Sequence, residues 1–291
     1  MSWRIVEIKN RAKLDYRMGY MVVRGEVTTK IHISEIGMLI IENTGVSLTA
    51  ALLSELTKNK VKVIFCDEKR NPSSELVAFY GAHDTSEKIR NQIVWNQNTK
   101  GLVWTAIVHE KISNQAELLW KLGLEGHDML FGYIEELEYN DSTNREGLAA
   151  KVYFGSLFGK TFSRANDSDI NKCLNYGYGI ILSTFNREVV ANGYITQLGL
   201  FHNNMFNYFN LSSDIMEPFR PLVDEIVYEM QPKKFEHEEK VKILELLNKE
   251  VRVDDKVQTV NNAIKIYTKS VFDAISSNDT SLLRFYRRNE L

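Results

Sequence analysis

The chain has 291 residues, 44% hydrophobic and 25% charged, with a formal net charge of −2. That is enough apolar material for one large core or two modest ones, and the overall charge does not mark a nucleic-acid binder, so any phosphate contact must come from local patches. Two distant cysteines, Cys66 and Cys173, neither in a Cys-x-x-Cys pair, exclude a disulfide framework and a cysteine zinc site and agree with a reducing cytoplasm.

No run approaches the ~20 apolar residues of a membrane span, and the N-terminus lacks the basic-then-apolar pattern of a secretory signal. Short runs rich in Val and Ile predict strands at Trp3–Ile8, Tyr20–Arg24, Val27–Ile33, Met38–Ile41 and Val61–Cys66, punctuated by Gly19, Gly25, Gly37 and Gly45. One helix is predicted between them, Leu48–Asn59, with Leu52, Leu53 and Leu56 on one face.

The character changes near Gly81. Asp84-Thr85-Ser86-Glu87 has the form of a helix start. From there the pattern is helical: Ile107, Ile112, Ala116, Leu119 and Leu122 recur at three- and four-residue spacing, and 145–158, 170–190, 240–249 and 257–275 behave alike. The charged gap 248–257 reads as loop and the basic tail Arg284-Phe285-Tyr286-Arg287-Arg288 as mobile. The expected architecture is α+β: a small β-rich domain over 1–80, a linker at 81–86, and a larger all-α domain over 87–291.

One familiar motif is a near miss. Gly155 to Thr161 resembles a phosphate-binding loop, but three residues separate its glycines where four are needed, and a helix, not a strand, precedes it. Three other places carry candidate chemistry. Thr143 with Glu146 three residues on reads as a capping box, so Glu146 is either a cap or a functional acid. His202 lies among aromatic and Asn residues, either structural or a ligand. In the block Asp214-Ile215-Met216-Glu217-Pro218-Phe219-Arg220-Pro221, the two prolines fit a helix start with Pro218 at its first position. Asp214 and Glu217 then gather at a helix mouth, as caps or as ligands. Carboxylates with one imidazole suit Mn²⁺ well and Mg²⁺ acceptably.

Asn144-Arg145-Glu146-Gly147 leading into Ala149 to Phe154, then His202, then Asp214 to Asp224, resembles the CRISPR-associated integrase family, nearest its type II-A branch. Asn175-Tyr176-Gly177-Tyr178-Gly179 and Phe65-Cys66-Asp67 fit the same resemblance, which spans essentially the whole chain. It implies a catalytic domain at 87–291 with a metal site of Glu146, His202 and Glu217, supported by Asp214, using Mg²⁺ or Mn²⁺. Many members carry Asp at the position of Glu217, so one extra methylene sets the backbone further back here.

The implied activity is insertion of a spacer DNA duplex into the CRISPR repeat by transesterification, the 3′-hydroxyl attacking a phosphodiester. The missing phosphate-binding loop and the missing Ser or Cys triad both agree with it. The implied partners are DNA (the spacer duplex and the leader–repeat), a second copy in a homodimer, and a small ferredoxin-fold companion bridging two dimers into a four-plus-two complex in the prokaryotic cytoplasm. The 1–80 domain would serve dimerisation and partner contact.

Arg220, Lys233, Lys234, Arg284, Arg287 and Arg288 are candidate phosphate contacts, with solvated surface charge as the plainer reading of any one. Tyr16, Tyr20, Tyr153, Tyr176 and Tyr178 are candidates to stack on splayed bases, with core packing the better reading for most. The alternatives to an integrase are a stand-alone structure-selective nuclease with the same metal site and an inert DNA-binding scaffold.

Overall fold

A computed structural model of the chain describes residues 4–68, 70–78 and 82–288. It divides into two compact units, Met1–Thr85 and Ser86–Leu291. The expected first strand is present from Arg4; Trp3 and Gly81 lie outside the described residues.

The first unit runs β1 (Arg4–Ile8), β2 (Lys13–Arg17), β3 (Tyr20–Arg24), β4 (Thr28–His32), β5 (Ile36–Ile41), β6 (Ser47–Leu48), α1 (Ala50–Lys58), β7 (Lys62–Cys66) and β8 (Pro72–Leu76). Two four-stranded sheets result, ordered β1-β5-β7-β8 and β4-β3-β2-β6. In the first, β5 pairs in parallel with β1 and β7 and is buried at every position, which accounts for its unbroken apolar run. Leu52 and Leu56 of α1 join one core with Ile8, Leu14, Met21, Leu39 and Val63.

Strand β2 escaped the periodicity reading because Leu14 is its one buried side chain. Its partner β3 meets it across a two-residue turn, Met18-Gly19, with φ of 47° and 86°. Positive φ at both turn residues is the twist a tight hairpin needs.

The second unit runs α2 (Thr85–Ile93), α3 (Gln97–Lys121), α4 (His127–Glu135), α5 (Arg145–Phe158), α6 (Asp169–Ala191), α7 (Asn210–Ile215), α8 (Arg220–Met230), α9 (His237–Leu244), β9 (Glu250–Val253), β10 (Lys256–Thr259), α10 (Val260–Ser277) and β11 (Arg287–Arg288). Helix α3 is the axis of this unit: Val103, Trp104, Ile107, Val108, Ile112 and Leu119 are fully buried, and it packs against α4, α5, α8 and α10. No helix among the described residues is long and apolar enough to cross a membrane.

This unit is helical but not all-α. The expected loop 248–257 holds the hairpin β9–β10, turning at Asp254-Asp255 with φ of 47° and 61°. Its charges face outward while Val251 and Val253 are buried, an alternation too short to stand out from a charged stretch. Helix α10 therefore begins at Val260, not Val257, where the Thr259 hydroxyl caps Asn262. The tail is not mobile either: β11 pairs with β9, and Tyr286 is fully buried with its hydroxyl donating to Pro218 O at 3.1 Å.

Candidate active site

Glu146 stands in the first turn of α5, but not as a cap. The backbone amides of Arg145 and Glu146 donate instead to the Asp141 carboxylate, at 2.7 and 3.2 Å. The Thr143 capping box does not form, because Asp141 already satisfies those amides, and the Glu146 carboxylate is left to reach across to α3. There it meets Lys111, whose Nζ lies 2.5 Å from Glu146 Oε1.

The same ammonium contacts Glu217 Oε2. Glu217 sits in a single 3-10 turn, Glu217–Phe219, wedged between α7 and α8. Pro218 is the second residue of that turn and Pro221 the second of α8, so the helix starts two residues later than expected. Two side chains from distant elements fix the turn: Asn114 Nδ2 and the Tyr286 hydroxyl both donate to Pro218 O, at 3.0 and 3.1 Å. Glu217 Oε1 accepts from Arg220 Nε at 2.8 Å. Its Oε2 is ion-paired with Lys111 but has no hydrogen bond of good geometry.

Burial pushes the Glu217 carboxyl up, but Arg220 and Lys111 outweigh it and hold the group below its ordinary value. Burial likewise pushes Lys111 down, while Glu217 and Glu146 together raise it, so the ammonium stays charged. Beneath them Asp224 accepts from the Tyr153 hydroxyl at 2.9 Å and from the Tyr178 hydroxyl, and burial pushes it up to about 6. The Arg220 guanidinium lies 4.7 Å from the centroid of the Tyr178 ring.

His202 lies on the loop between α6 and α7. Asp214, fully buried in α7, accepts the backbone amides of Leu200, Phe201 and His202 at 2.7, 2.9 and 3.3 Å and also pairs with His202 Nδ1. One acid therefore folds the loop and orients the ring, leaving Nε2 as the outward nitrogen. That hydrogen bond raises the His202 pKa against burial, with further lift from Asp214, Glu146 and Glu217. Trp104 stacks on Phe201 with centroids 4.7 Å apart and meets the imidazole edge-on at 5.6 Å. Gly199 allows the tight wrap: a Cβ there would lie 2.3 Å from His202 O.

The structure thus joins Glu146 and Glu217 at one cationic point and sets Asp214 behind His202. His202 faces a cleft of about 610 Å³ with Lys100, Gly101, Tyr139 and Asn140, while Glu217 and Lys111 line a smaller cavity of about 240 Å³. Among the described residues, no three His, Cys, Asp or Glu side chains gather into a ready cage for an ion. The carboxylate pair nevertheless has the oxygen donors a hard cation takes, and both acids already converge on one positive charge.

Sequence reasoning missed Lys111, Lys100 and Asp141. A signal for Lys111 was present: Glu110-Lys111 and Asn114-Gln115 interrupt the apolar stripe of α3 at helical spacing, and all four are buried. Of the candidate phosphate contacts, Arg288 is a correction. Its guanidinium is largely buried and paired with Glu225, which also takes Lys121 and Lys249 at 2.6 and 2.9 Å. Arg220 is engaged by Glu217, Arg287 by Glu110, Arg284 by Asp254 at 3.3 Å and Lys234 by Glu236 at 2.7 Å; Lys233 is exposed. Tyr153, Tyr176 and Tyr178 are core residues, Tyr16 is half-buried and Tyr20 is exposed.

The family described as CRISPR associated protein Cas1 matches residues 7–256. The chain is 33% identical over 227 residues to the CRISPR-associated endonuclease Cas1 of Neisseria meningitidis serogroup C (strain 8013), covering 77% of this chain and 74% of that protein. In fold it is similar to a casposase bound to integration product, with a TM-score of 0.78, 16% identity, and 96% of this chain and 92% of that one covered. It is similar also to a chain of a Cas6-RT-Cas1–Cas2 complex, with a TM-score of 0.74 and 17% identity, 99% of this chain matching 36% of that longer one.

Proposed function

This chain belongs to the Cas1 family of CRISPR-associated proteins, and we propose that it is an endonuclease and integrase of CRISPR adaptation, joining the 3′-hydroxyl ends of a spacer duplex to the CRISPR repeat. The observation that carries the reading is the convergence of Glu146 and Glu217, from α5 and from the turn before α8, on one cationic point. Glu217 is buried and Glu146 half-buried, and two carboxylates meeting at one such point call for a positive charge between them.

In transesterification the 3′-oxygen of the spacer bonds to a repeat phosphorus as the phosphorus–oxygen bond of the repeat strand breaks, and the proton of the attacking hydroxyl passes to the leaving oxygen. One bond replaces another of the same kind, so no nucleotide cofactor and no protein nucleophile is required. Glu146, Glu217 and His202 would hold Mg²⁺ or Mn²⁺; when bound, such an ion polarises the phosphate and stabilises both oxygens in flight. Asp214 keeps Nδ1 of His202 occupied, so Nε2 is the nitrogen that would be free to hold an ion or donate to a phosphate oxygen. Lys100, half-buried in the His202 cleft, is the cation best set to meet a backbone phosphate there.

The reading extends to a homodimer and to a small ferredoxin-fold companion joining two dimers in a four-plus-two complex. The likeness to a chain of a Cas6-RT-Cas1–Cas2 complex supports a partner subunit, and says nothing of the dimer or of the stoichiometry. The N-terminal unit is the proposed dimerisation and partner surface.

The test is a plasmid integration assay with the purified chain, with and without the companion, given a duplex with free 3′-hydroxyls and a repeat-bearing target. Joined products are expected; fragments alone would favour a nuclease. Glu146→Gln, Glu217→Gln and His202→Ala should each abolish joining while DNA binding persists. EDTA should stop the reaction and Mn²⁺ or Mg²⁺ restore it; rescue by neither ion would overturn the metal assignment.

A further inference from the structure

The ammonium between Glu146 and Glu217 belongs to a side chain with somewhere else to go. Lys111 is 7% exposed, so its charge is balanced almost wholly by the two carboxylates. One helical turn further along α3, Gln115 is 2% exposed, and its Oε1 is buried with no hydrogen-bond partner. Lys111 and Gln115 line the same cavity of about 240 Å³. Residues four apart on a helix lie one above the other, so a lysine at 111 can swing its ammonium along the helix to an acceptor at 115. On one side, then, stands Glu217 Oε2, ion-paired without a hydrogen bond, and on the other a buried carbonyl oxygen with no donor. A buried acceptor left without a donor costs about 1–3 kcal/mol; with the ammonium on the carboxylates Gln115 Oε1 bears that cost, and with it on Gln115 the carboxylates lose their counter-charge.

We infer that Lys111 is a resident stand-in for the divalent cation, with two positions: between Glu146 and Glu217 in the metal-free protein, and on Gln115 Oε1 in the same cavity when the ion is bound. This inference rests on the cation reading of the site. In the first position the ammonium keeps two neighbouring carboxylates from repelling each other and holds α3, α5 and the 217–219 turn in register. In the second it fills an unmet acceptor and keeps a positive charge near the reacting phosphate. Its departure opposes cation binding, so the site discriminates against weakly bound ions and stays ordered while empty.

The experiment measures Mn²⁺ affinity, not activity. Full-length chain is titrated with Mn²⁺ and the free aqua-ion is read by its electron paramagnetic resonance signal. The wild type is compared with Lys111→Met, Gln115→Leu, the double variant, and Lys100→Met as a control for general loss of charge. Lys111→Met should tighten Mn²⁺ binding by at least about tenfold, because the ion no longer displaces a buried charge. Gln115→Leu should weaken binding when Lys111 is present and change nothing when residue 111 is methionine. Lys100→Met should change affinity much less than Lys111→Met.

Equal affinity in wild type and Lys111→Met, equal weakening by Gln115→Leu in both backgrounds, or equal tightening by Lys100→Met would each overturn the inference while leaving the cation site intact. A wild type that takes up no Mn²⁺ would overturn the cation reading along with it. If Lys111→Met does not fold without metal, Gln115→Leu decides alone: affinity unchanged from wild type would overturn the two-position scheme.

Discussion

Asp214 has more asked of it than any other acid in the site, since three backbone amides and an imidazole converge on its two oxygens. An amide in its place would turn an NH₂ toward donors. Asp214→Asn should therefore cost about 2–4 kcal/mol of stability, the range for breaking a buried hydrogen-bond network, and should lower strand transfer by disordering the His202 loop. Urea melts and an integration assay read the two effects. If stability falls but strand transfer does not, Asp214 is a folding residue and has no part in placing His202.

At the level of elements, the site depends on how closely α6 and α8 approach. Gly177 makes that possible: a Cβ there would lie 2.4 Å from Val223 Cγ1 and 3.2 Å from Ile243 Cγ2. Valine has little rotamer freedom in a helix, so Gly177→Ala must push α8 away, and α8 carries Arg220 and Asp224. The expected loss is about 1–3 kcal/mol, as for overpacked cores, with weaker strand transfer. Val223→Ala in the same chain should recover part of both, which a thermal melt of the single and double variants would check. The same geometry gives a use to the small residues of Asn175-Tyr176-Gly177-Tyr178-Gly179, where Tyr176 and Tyr178 pack inward and Gly177 admits the neighbouring helix.

On the scale of the whole second unit, the C-terminal segment closes the structure. Tyr286 is buried and hydrogen-bonded to the turn that bears Glu217, while Arg288 joins Lys121 and Lys249 around Glu225. Ending the chain after Leu283 should lower the melting temperature, since removing one buried aromatic costs about 3–5 kcal/mol, and should impair integration by freeing Pro218. An unchanged melt would mean that the tail does not hold the turn.

Glu225 also sets a response to acid. Burial pushes its carboxyl up, but Arg288, Lys121 and Lys249 outweigh it and hold the group at about 2, against an ordinary 4.5. A depressed carboxyl stabilises the fold above its unfolded value, and that stability is lost as pH falls from about 4.5 toward 2. Glu225→Gln should remove this part of the acid transition and lower stability at neutral pH, as urea melts at pH 7 and pH 3 would record.

Periodicity and turn residues sufficed for the order of elements: strands first, with β5 and β7 recognisable by their apolar runs, then long helices such as α5 and α6. The residue blocks around Glu146, His202 and Glu217 were likewise legible as a family resemblance, because such blocks are contiguous in the chain. Strands β2, β9 and β11 were not, since each buries at most two side chains, and β11 is held by a partner far away in sequence. Nor was Lys111. A charge on an apolar helix stripe reads as an irregularity until α5 and the 217–219 turn bring their carboxylates to it. Local pattern records which face a segment buries; which charges meet across the core depends on contacts between residues that no sequence window contains together.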